Sequence, residues 1–373
     1  MALKQERNYG IDLLRMVAMF LVVVLHILGQ GGVLGKTQAY SGQYLVGWFL
    51  EIAAMCSVNL YALISGYVGI HSKYRVTNIV VLWLQVFLYS FGIAVLTAIF
   101  RPDFCSFSGV IEYAFPVITK KYWYFSAYVC LFLFMPLLNA GVNALSKKSL
   151  QRIVVAMLLV FTVAASAAKE TSHDPFVLSS GYSGIWLMIL YVVGAYIGKY
   201  GLWENVPQPA LPGIFFGCAA LSLAIKVLIR RLNSVVSGTA YNLKFVSAFI
   251  SPLTVIGSIA LLLFFSRLRC GSISKKVIAL FAPAAFGVYI IHVHPIIWEH
   301  VIKDRFAFLA ARNPAYLAGG VLLCALAIYL GGSLIDLMRH LIFKLLRIKQ
   351  GCQALEEKLF KKEEDTVKIG DRE

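Results

Sequence analysis

The first hydrophobic segment of the chain carries two basic side chains, Arg15 and His26, in the stretch "LRMVAMFLVVVLH". Eleven helical steps of 100° bring the second residue almost back to the azimuth of the first, roughly 16 Å further along the helix. The two side chains are therefore expected on one helix face. Ionisable groups within a membrane usually face the bundle interior and mark a site. We interpret His26 as a general base in a partly dehydrated cavity; the alternative is a histidine that is hydrogen-bonded to another helix.

Arg15 has a structural alternative, because Asp12 precedes it by three residues and an i,i+3 ion pair would be ordinary there. In the functional interpretation, Arg15 orients a partner helix or contacts an anionic ligand. Glu51, near the start of the second apolar segment, is a candidate buried carboxylate that could pair with a cation or orient His26.

The composition indicates a polytopic membrane protein. The chain has 373 residues, of which 60% are hydrophobic and 14% charged, and its mean hydropathy is +0.77. A soluble protein would have about 25% charged residues. The net charge is +16. We interpret the excess of Lys and Arg as residues of loops and helix ends that contact anionic lipid and set the membrane topology. No basic stretch with interleaved aromatic residues suggests nucleic-acid binding.

Apolar windows of about 20 residues predict an all-α bundle of about ten transmembrane helices. They divide the chain into a membrane domain, 1–345, and a charged cytoplasmic tail, 346–373, expected to be a solvated helix that frays. The stretch 107–118 is expected to be an interfacial or re-entrant helix. The predicted spans are 11–30, 45–70, 78–100, 122–140, 151–168, 182–199, 211–229, 245–265, 277–300 and 316–345.

The positive-inside rule places both termini in the cytoplasm. Short, densely basic loops would then lie inside, and longer loops of mixed charge outside. The outer loop that contains Arg230, Arg231 and Lys244 departs from this rule.

Several other side chains are candidates for the site. Trp123 and Tyr124 belong to an interfacial aromatic belt or line the mouth of a cavity. His292 and His294 are two residues apart, so on a regular helix they point about 200° apart and cannot bind one metal; we predict no metal site. One of them could face the cavity, or Pro295 could break the helix. The seven cysteines contain no CxxC pair and are expected to be small buried residues.

Four phrases of the sequence resemble the acyltransferase-3 family of membrane acyltransferases, and the likeness covers about residues 8–345. The arginine and histidine of "GIDLLRMVAMFLVVVLH" are the most specific match. The other three phrases are "NLYALISGYV", "YWYFSAYVCLFLFMPLLN" and "FGVYIIHVHP".

The resemblance implies transfer of an acyl group, often acetyl from acetyl-CoA, to a hydroxyl of a cell-surface or exported glycan. His26 falls on the essential histidine of the family and Arg15 on its paired arginine. Arg75 and Lys73 fall near basic positions implicated in binding acyl-CoA, and Asn59 or Tyr67 could stabilise the thioester oxygen. Glu51, Trp123, Tyr124 and His292 are then candidates for binding the acceptor.

The expected partners are acyl-CoA, a glycan or lipid-linked saccharide and the lipid bilayer, with no nucleic acid and a homo-oligomer left open. The expected location is a bacterial plasma (inner) membrane. One alternative is a transporter or flippase for an amino acid, another small polar substrate or a lipid-linked sugar, since intramembrane Arg, His and Glu serve transport equally well. The third interpretation is a purely structural subunit of a complex that makes or exports polysaccharide.

Overall fold

The structure is a computed structural model that describes residues 7–167, 174, 176–235 and 246–370. This part of the chain contains helices and no strand, which confirms the all-α membrane bundle. The α-helices are α1 (Tyr9–Leu28), α2 (Val33–Lys36), α3 (Gly42–Ala54), α4 (Cys56–Gly69), α5 (Val76–Phe100), α6 (Phe107–Tyr113), α7 (Trp123–Ala144), α8 (Lys147–Leu158), α9 (Ala165–Ala167), α10 (Gly184–Tyr200), α11 (Ala210–Val235), α12 (Pro252–Ser266), α13 (Ser272–Phe281), α14 (Ala285–His292), α15 (Pro295–Ile297), α16 (Pro314–Leu345) and α17 (Ile348–Gly370).

Seven helical stretches among the described residues are long and apolar enough to cross a membrane. Two further apolar helices, α10 and α12, are shorter. The predicted span 151–168 corresponds to α8, a π-helical turn over Leu159–Ala164 and α9. Each of the ten predicted spans thus overlaps helix, although not every one meets the length criterion of a span. In the span predicted over 245–265 the helix begins only at Pro252, and residues 168 and 245 lie outside the described part of the chain. The seven long stretches are Tyr9–Lys36, Gly42–Gly69, Val76–Phe100, Trp123–Ala144, Ala210–Ser234, Ser272–His292 and Pro314–Leu345.

Local breaks in the helices occur at the positions that matter for the site. The second span is two helices that meet at Met55, α3 and α4. The stretch 107–118 holds only the seven-residue α6, in agreement with the prediction of a short helix. The ninth span, predicted over 277–300, is interrupted: α14 ends at His292 and Pro295 begins a new short helix, which was one of the two alternatives given for this segment. Proline has no backbone N–H to donate and clashes with the preceding turn, so a helix usually ends before it.

Contacts near the ends of the helices distinguish the two ends of the bundle. At the end that holds Tyr9, called here the N-terminal end, Asn8 donates to the Ser266 carbonyl at 2.9 Å. The tail helix α17 lies at the same end, where Glu356 accepts from the backbone of Val76 at 2.7 Å. At the opposite end, the N–H of Asp304 donates to the carbonyl of Gln30 at 2.9 Å.

A close backbone approach joins α4 and α10. A Cβ atom added to Gly66 would lie 1.9 Å from the Tyr191 carbonyl oxygen, and one added to Gly194 would lie 2.1 Å from that of Leu63. Small residues permit such approach, which is how transmembrane helices gain packing without a hydrophobic driving force. The contact holds α4 against α10.

A buried ion pair within α16 also receives the hydrogen bonds that hold this helix against α5. Asp336 is fully buried and pairs with Arg339 at 2.6 Å. The same carboxylate accepts hydrogen bonds from Gln85 and from the Tyr89 hydroxyl, both at 2.9 Å. Charged groups within a bilayer are tolerated when they are paired and hydrogen-bonded in this way.

Candidate active site

A cavity of about 480 Å³ lies between α1, α4, α7 and α14, in the half of the bundle opposite the N-terminal end. This volume is typical of sites for small molecules. Its lining residues are largely aromatic and aliphatic, with a few polar groups. They are Met19, Val22, Leu25, His26, Gly29, Gln30, Glu51, Met55, Val58, Tyr61, Lys121, Trp123, Tyr124, Tyr182, Phe249, Phe286, Tyr289, Val293, Pro295 and Trp298.

His26 reaches this cavity from the last turn of α1 and is hydrogen-bonded to a second histidine. Its Nδ1 lies 2.8 Å from the Nε2 of His292 on α14. The Nδ1 of His292 in turn lies 2.6 Å from the carbonyl oxygen of Val288, one helical turn earlier. His292 itself is buried behind His26 and does not line the cavity.

These two contacts determine which nitrogen of each ring carries hydrogen. A carbonyl oxygen can only accept, so the Nδ1 of His292 must be the donor, and the Nε2 of the neutral ring is an acceptor. The Nδ1 of His26 must then donate to His292. The Nε2 of neutral His26 is therefore left with a free lone pair, and no described residue hydrogen-bonds to it. This is the arrangement that a general base requires.

Aromatic rings close the walls around His26. The Trp298 ring packs edge-on against the His26 ring, with centroids 4.6 Å apart. Across the cavity, Tyr182 packs against Trp123 at 4.6 Å and against Phe249 at 4.9 Å. Trp123 thus lies in the cavity wall, which was one of its two predicted roles. Rings of this kind exclude water and offer flat apolar faces to a ligand.

Two polar atoms of the wall have unused hydrogen-bonding capacity. Within the part of the chain that the structure describes, neither the Oε2 of Glu51 nor the hydroxyl of Tyr124 has a partner. A buried polar atom without a partner costs about 1–3 kcal/mol. Both residues line the cavity, but both atoms are buried within its wall, so a ligand would contact them only after the side chains turn toward the cavity.

Arg15 lies outside the cavity and is held locally. Its Nη1 is 2.6 Å from Asp12, which also pairs with Arg7. The Tyr61 hydroxyl, on the cavity wall, donates to the Arg15 backbone carbonyl at 2.8 Å. The i,i+3 ion pair predicted as the alternative is therefore present, and Arg15 is connected to the cavity through Tyr61 rather than by its own side chain.

Asn59 also lies outside the cavity lining. Its amide nitrogen donates to the Phe249 carbonyl at 2.8 Å, and its oxygen accepts from the Trp186 indole at 3.0 Å. The residue is fully buried and both ends of its amide are occupied. This geometry suits a structural link between α4, α10 and the segment before α12 better than the stabilisation of a thioester oxygen.

The residues expected at the acyl-CoA site lie toward the N-terminal end of the bundle. Tyr67 is in the last turn of α4, and Lys73 and Arg75 are exposed in the loop before α5. None of them lines the cavity. An acyl donor that binds both regions would have to extend along α1 and α4.

Some residues of the wall were not anticipated. Trp298, which contacts His26, follows the helix break at Pro295, and a lone tryptophan after an apolar run gives no sequence signal of its own. Tyr289 stands within the "FGVYIIHVHP" phrase but was not singled out. Gln30 and Lys121 lie at helix ends, where polar residues are common.

Among the described residues, no three His, Cys, Asp or Glu side chains converge on a point where a metal ion would bind. The acyltransferase domain pattern of the acyltransferase-3 family matches residues 8–332. No individual curated protein and no solved structure gives a match. The matched region contains the whole cavity, both histidines and every helix that surrounds them. On this match, the chain belongs to the acyltransferase-3 family of membrane proteins.

Proposed function

We propose that the protein transfers an acyl group from acyl-CoA to a hydroxyl of a glycan, with His26 as general base. Acetyl is the acyl group proposed. The observation that carries the proposal is the hydrogen bond from His26 Nδ1 to His292, which leaves the Nε2 of His26 unprotonated beside the cavity. Membership of the family supports acyl transfer as the reaction class.

In the proposed reaction, the acceptor hydroxyl lies against the Nε2 of His26, which takes its proton as the oxygen attacks the thioester carbon. The C–S bond then breaks, and the CoA sulfur leaves as a thiolate that recovers the same proton from His26. The ester and free CoA are the products. A two-step route through an acyl-histidine would use the same nitrogen as nucleophile.

Negative charge develops on the thioester oxygen in the transition state, so a donor is needed near the reacting carbon. Asn59 or Tyr67 was the expected donor, but the amide of Asn59 is engaged elsewhere and Tyr67 does not line the cavity. We propose the hydroxyl of Tyr124 in its place, because Tyr124 lines the cavity and its buried hydroxyl has no partner among the described residues; the side chain would have to turn this hydroxyl toward the thioester.

The shape and chemistry of the wall favour a saccharide as acceptor. Trp123, Tyr182 and Phe249 form an aromatic surface against which the apolar face of a sugar ring can pack. The Glu51 carboxylate on the same wall can accept hydrogen bonds from neighbouring hydroxyls. Flat faces combined with a few polar groups are what orients a polar ligand in a largely apolar site.

Lys73 and Arg75 are proposed to bind the phosphates of CoA, since guanidinium and ammonium groups suit phosphate oxygens. Their exposure leaves them free to do so. Tyr67, one turn deeper on α4, would contact the donor between these cations and the thioester.

The test is mass spectrometry of surface glycans from cells in which the native gene is replaced by a variant. We expect His26→Ala to abolish acylation while the protein is still present, folded, in the membrane. His340→Ala, which removes an exposed histidine from α16, is the matched control and should acylate normally. Normal acylation with His26→Ala would refute the proposed base.

Purified protein separates transfer from transport. With acetyl-CoA and a glycan extract, the wild type should release free CoA in proportion to the ester formed, and His26→Ala should release none. A transporter would move substrate across vesicle membranes without releasing CoA.

A further inference from the structure

A ladder of aromatic residues, Tyr40 in the turn before α3 and Tyr44 and Trp48 on one face of α3, leads from the opposite end of the bundle to the cavity wall. Tyr40, Tyr44 and Trp48 are spaced four residues apart, and their rings succeed one another at 6.2 and 6.1 Å. Glu51, one turn beyond Trp48, lines the cavity. Residues at this spacing lie on the same helix face.

Cations from α11 cover this ladder step by step. The Lys226 ammonium lies 3.6 Å from the centre of the Trp48 ring. The Arg230 guanidinium lies over Tyr44 at 5.2 Å, and that of Arg231 over Tyr40 at 5.4 Å. Each contact is a cation–π pair.

None of these three cations is neutralised by a carboxylate within ion-pair distance, as far as the described residues go. Lys226 is buried, whereas both arginines are exposed. Lys226 donates to Ser247 at 3.4 Å, two residues before the cavity-lining Phe249, and its charge acts on Glu51. The cationic surface therefore adjoins the cavity.

The position of these cations needs an explanation, because they lie at the end of the bundle opposite its short, densely basic loops. Arginine in the outer loops of a membrane protein works against the positive-inside rule. The Nη1 of Arg230 also donates to the Tyr44 hydroxyl at 3.4 Å. Packing over aromatic rings orients a guanidinium, and its remaining N–H groups match the oxygens of a phosphate group.

We propose that Arg230 and Arg231, backed by the charge of Lys226, bind a phosphate group carried by the acyl acceptor, beside the cavity that contains His26. The acceptor would then be a phosphate-bearing saccharide. That the bound phosphate belongs to the acyl acceptor rests on the proposed function. The phosphate site itself does not.

The experiment measures binding of inorganic pyrophosphate to the full-length protein in phosphatidylcholine nanodiscs at constant ionic strength. All proteins compared, the wild type included, carry Lys73→Gln and Arg75→Gln, which removes the phosphate site proposed for CoA. We expect saturable binding to the wild type and about tenfold weaker binding to Arg230→Gln/Arg231→Gln, because two charge-assisted contacts are lost. Arg230→Lys/Arg231→Lys keeps the charge but loses the planar N–H edges, so it should bind more tightly than the glutamine variant and more weakly than the wild type. This second variant guards against the case in which the glutamine variant loses affinity through misfolding.

Two controls complete the test. Arg312→Gln removes another exposed arginine that lies over a tyrosine, Tyr316, at 5.5 Å, and should bind as the wild type does. His26→Ala should also bind normally, so the phosphate site can stand even where the proposed chemistry fails.

Two outcomes would overturn the proposal. One is pyrophosphate binding that is absent, or equal in the wild type and the double glutamine variant. The other is a site that takes only a lipid headgroup: phosphatidylglycerol nanodiscs would then stabilise the wild type but not the double glutamine variant, and soluble pyrophosphate would bind neither.

Discussion

The Nε2 of His292 accepts a hydrogen bond from the Nδ1 of His26 across 2.8 Å, so α14 sets the tautomer of a residue on α1. His292 was expected from the sequence to contact the acceptor. His292 is buried behind His26 and does not line the cavity, so in the proposed mechanism it acts as a positioning residue through the other ring.

Replacing His292 tests this role. His292→Leu removes the acceptor and frees the Nδ1 of His26 to lose its hydrogen, so we expect acyl transfer to fall by about 10²–10⁴-fold, the range seen when a catalytic histidine takes the wrong tautomer. His292→Gln can place an amide oxygen near the position of the Nε2 atom and should lose about tenfold or less. Initial rates of CoA release at saturating donor, across a pH series, give the measurement. Equal losses in the two variants would contradict the role.

Asn59 provides a prediction about stability rather than catalysis. Asn59→Leu leaves the Phe249 carbonyl and the Trp186 indole without partners, at a cost of about 2–4 kcal/mol of unfolding free energy. The thermal unfolding midpoint in detergent should fall, while turnover per folded molecule is kept. Asn143→Leu, on an exposed position of α7, is the control and should change neither quantity. An unchanged midpoint with lost turnover would favour the catalytic role predicted from the sequence.

The sequence predicted those features of the fold that are determined locally. Apolar runs gave the positions of the helices, the short stretch before α7 was recognised as too short to span, and Pro295 broke the ninth span. Each of these depends on residues within a few turns, which is the range over which hydrophobic pattern and proline geometry act.

The site itself depends on contacts that sequence patterns do not contain. His26 and His292 are 266 residues apart, and the partners of Asn59 are 127 and 190 residues away. The sequence indicated that His26 was in an unusual environment, and it did not indicate which side chain it meets. Arg15 illustrates the opposite case. Its ion-pair partner, Asp12, is only three residues away, so the spacing in the sequence was enough to predict the contact.

The buried ion pair of α16 should dominate the stability of that helix. Asp336→Ala leaves the buried Arg339 guanidinium without its carboxylate partner and should lower the free energy of unfolding by about 3–5 kcal/mol. Asp336→Leu combined with Arg339→Met removes both charges and should cost clearly less. Thermal unfolding in detergent compares the two. Asp103→Ala breaks an exposed pair with Arg101 and should leave the midpoint unchanged. A double variant as unstable as the single one would show that the cost does not come from the stranded charge.

Docking of the tail helix should depend on pH through Glu356. Its carboxylate accepts hydrogen bonds from the Thr77 hydroxyl and from the N–H groups of Thr77 and Val76, which begin α5. The Thr77 hydroxyl, followed by these N–H groups and Arg75, holds the pKa of Glu356 below its ordinary value of 4.5. A carboxyl whose pKa is lower in the docked state stabilises that state above pH 4.5, and the contribution is lost as the pH falls through the lowered pKa.

We therefore expect α17 to stay docked at neutral pH and to loosen below pH 4.5. Hydrogen exchange of the amides over 348–359 reports this directly, since these amides should exchange faster once the carboxylate is protonated. Glu356→Gln should show the faster exchange already at neutral pH, because a neutral amide is a weaker acceptor for the helix N–H groups than a carboxylate. Glu357→Gln, one residue away and exposed, is the matched control and should behave as the wild type does. Exchange in Glu356→Gln as slow as in the control would show that apolar packing, and not the Glu356 carboxylate, holds the tail helix against α5.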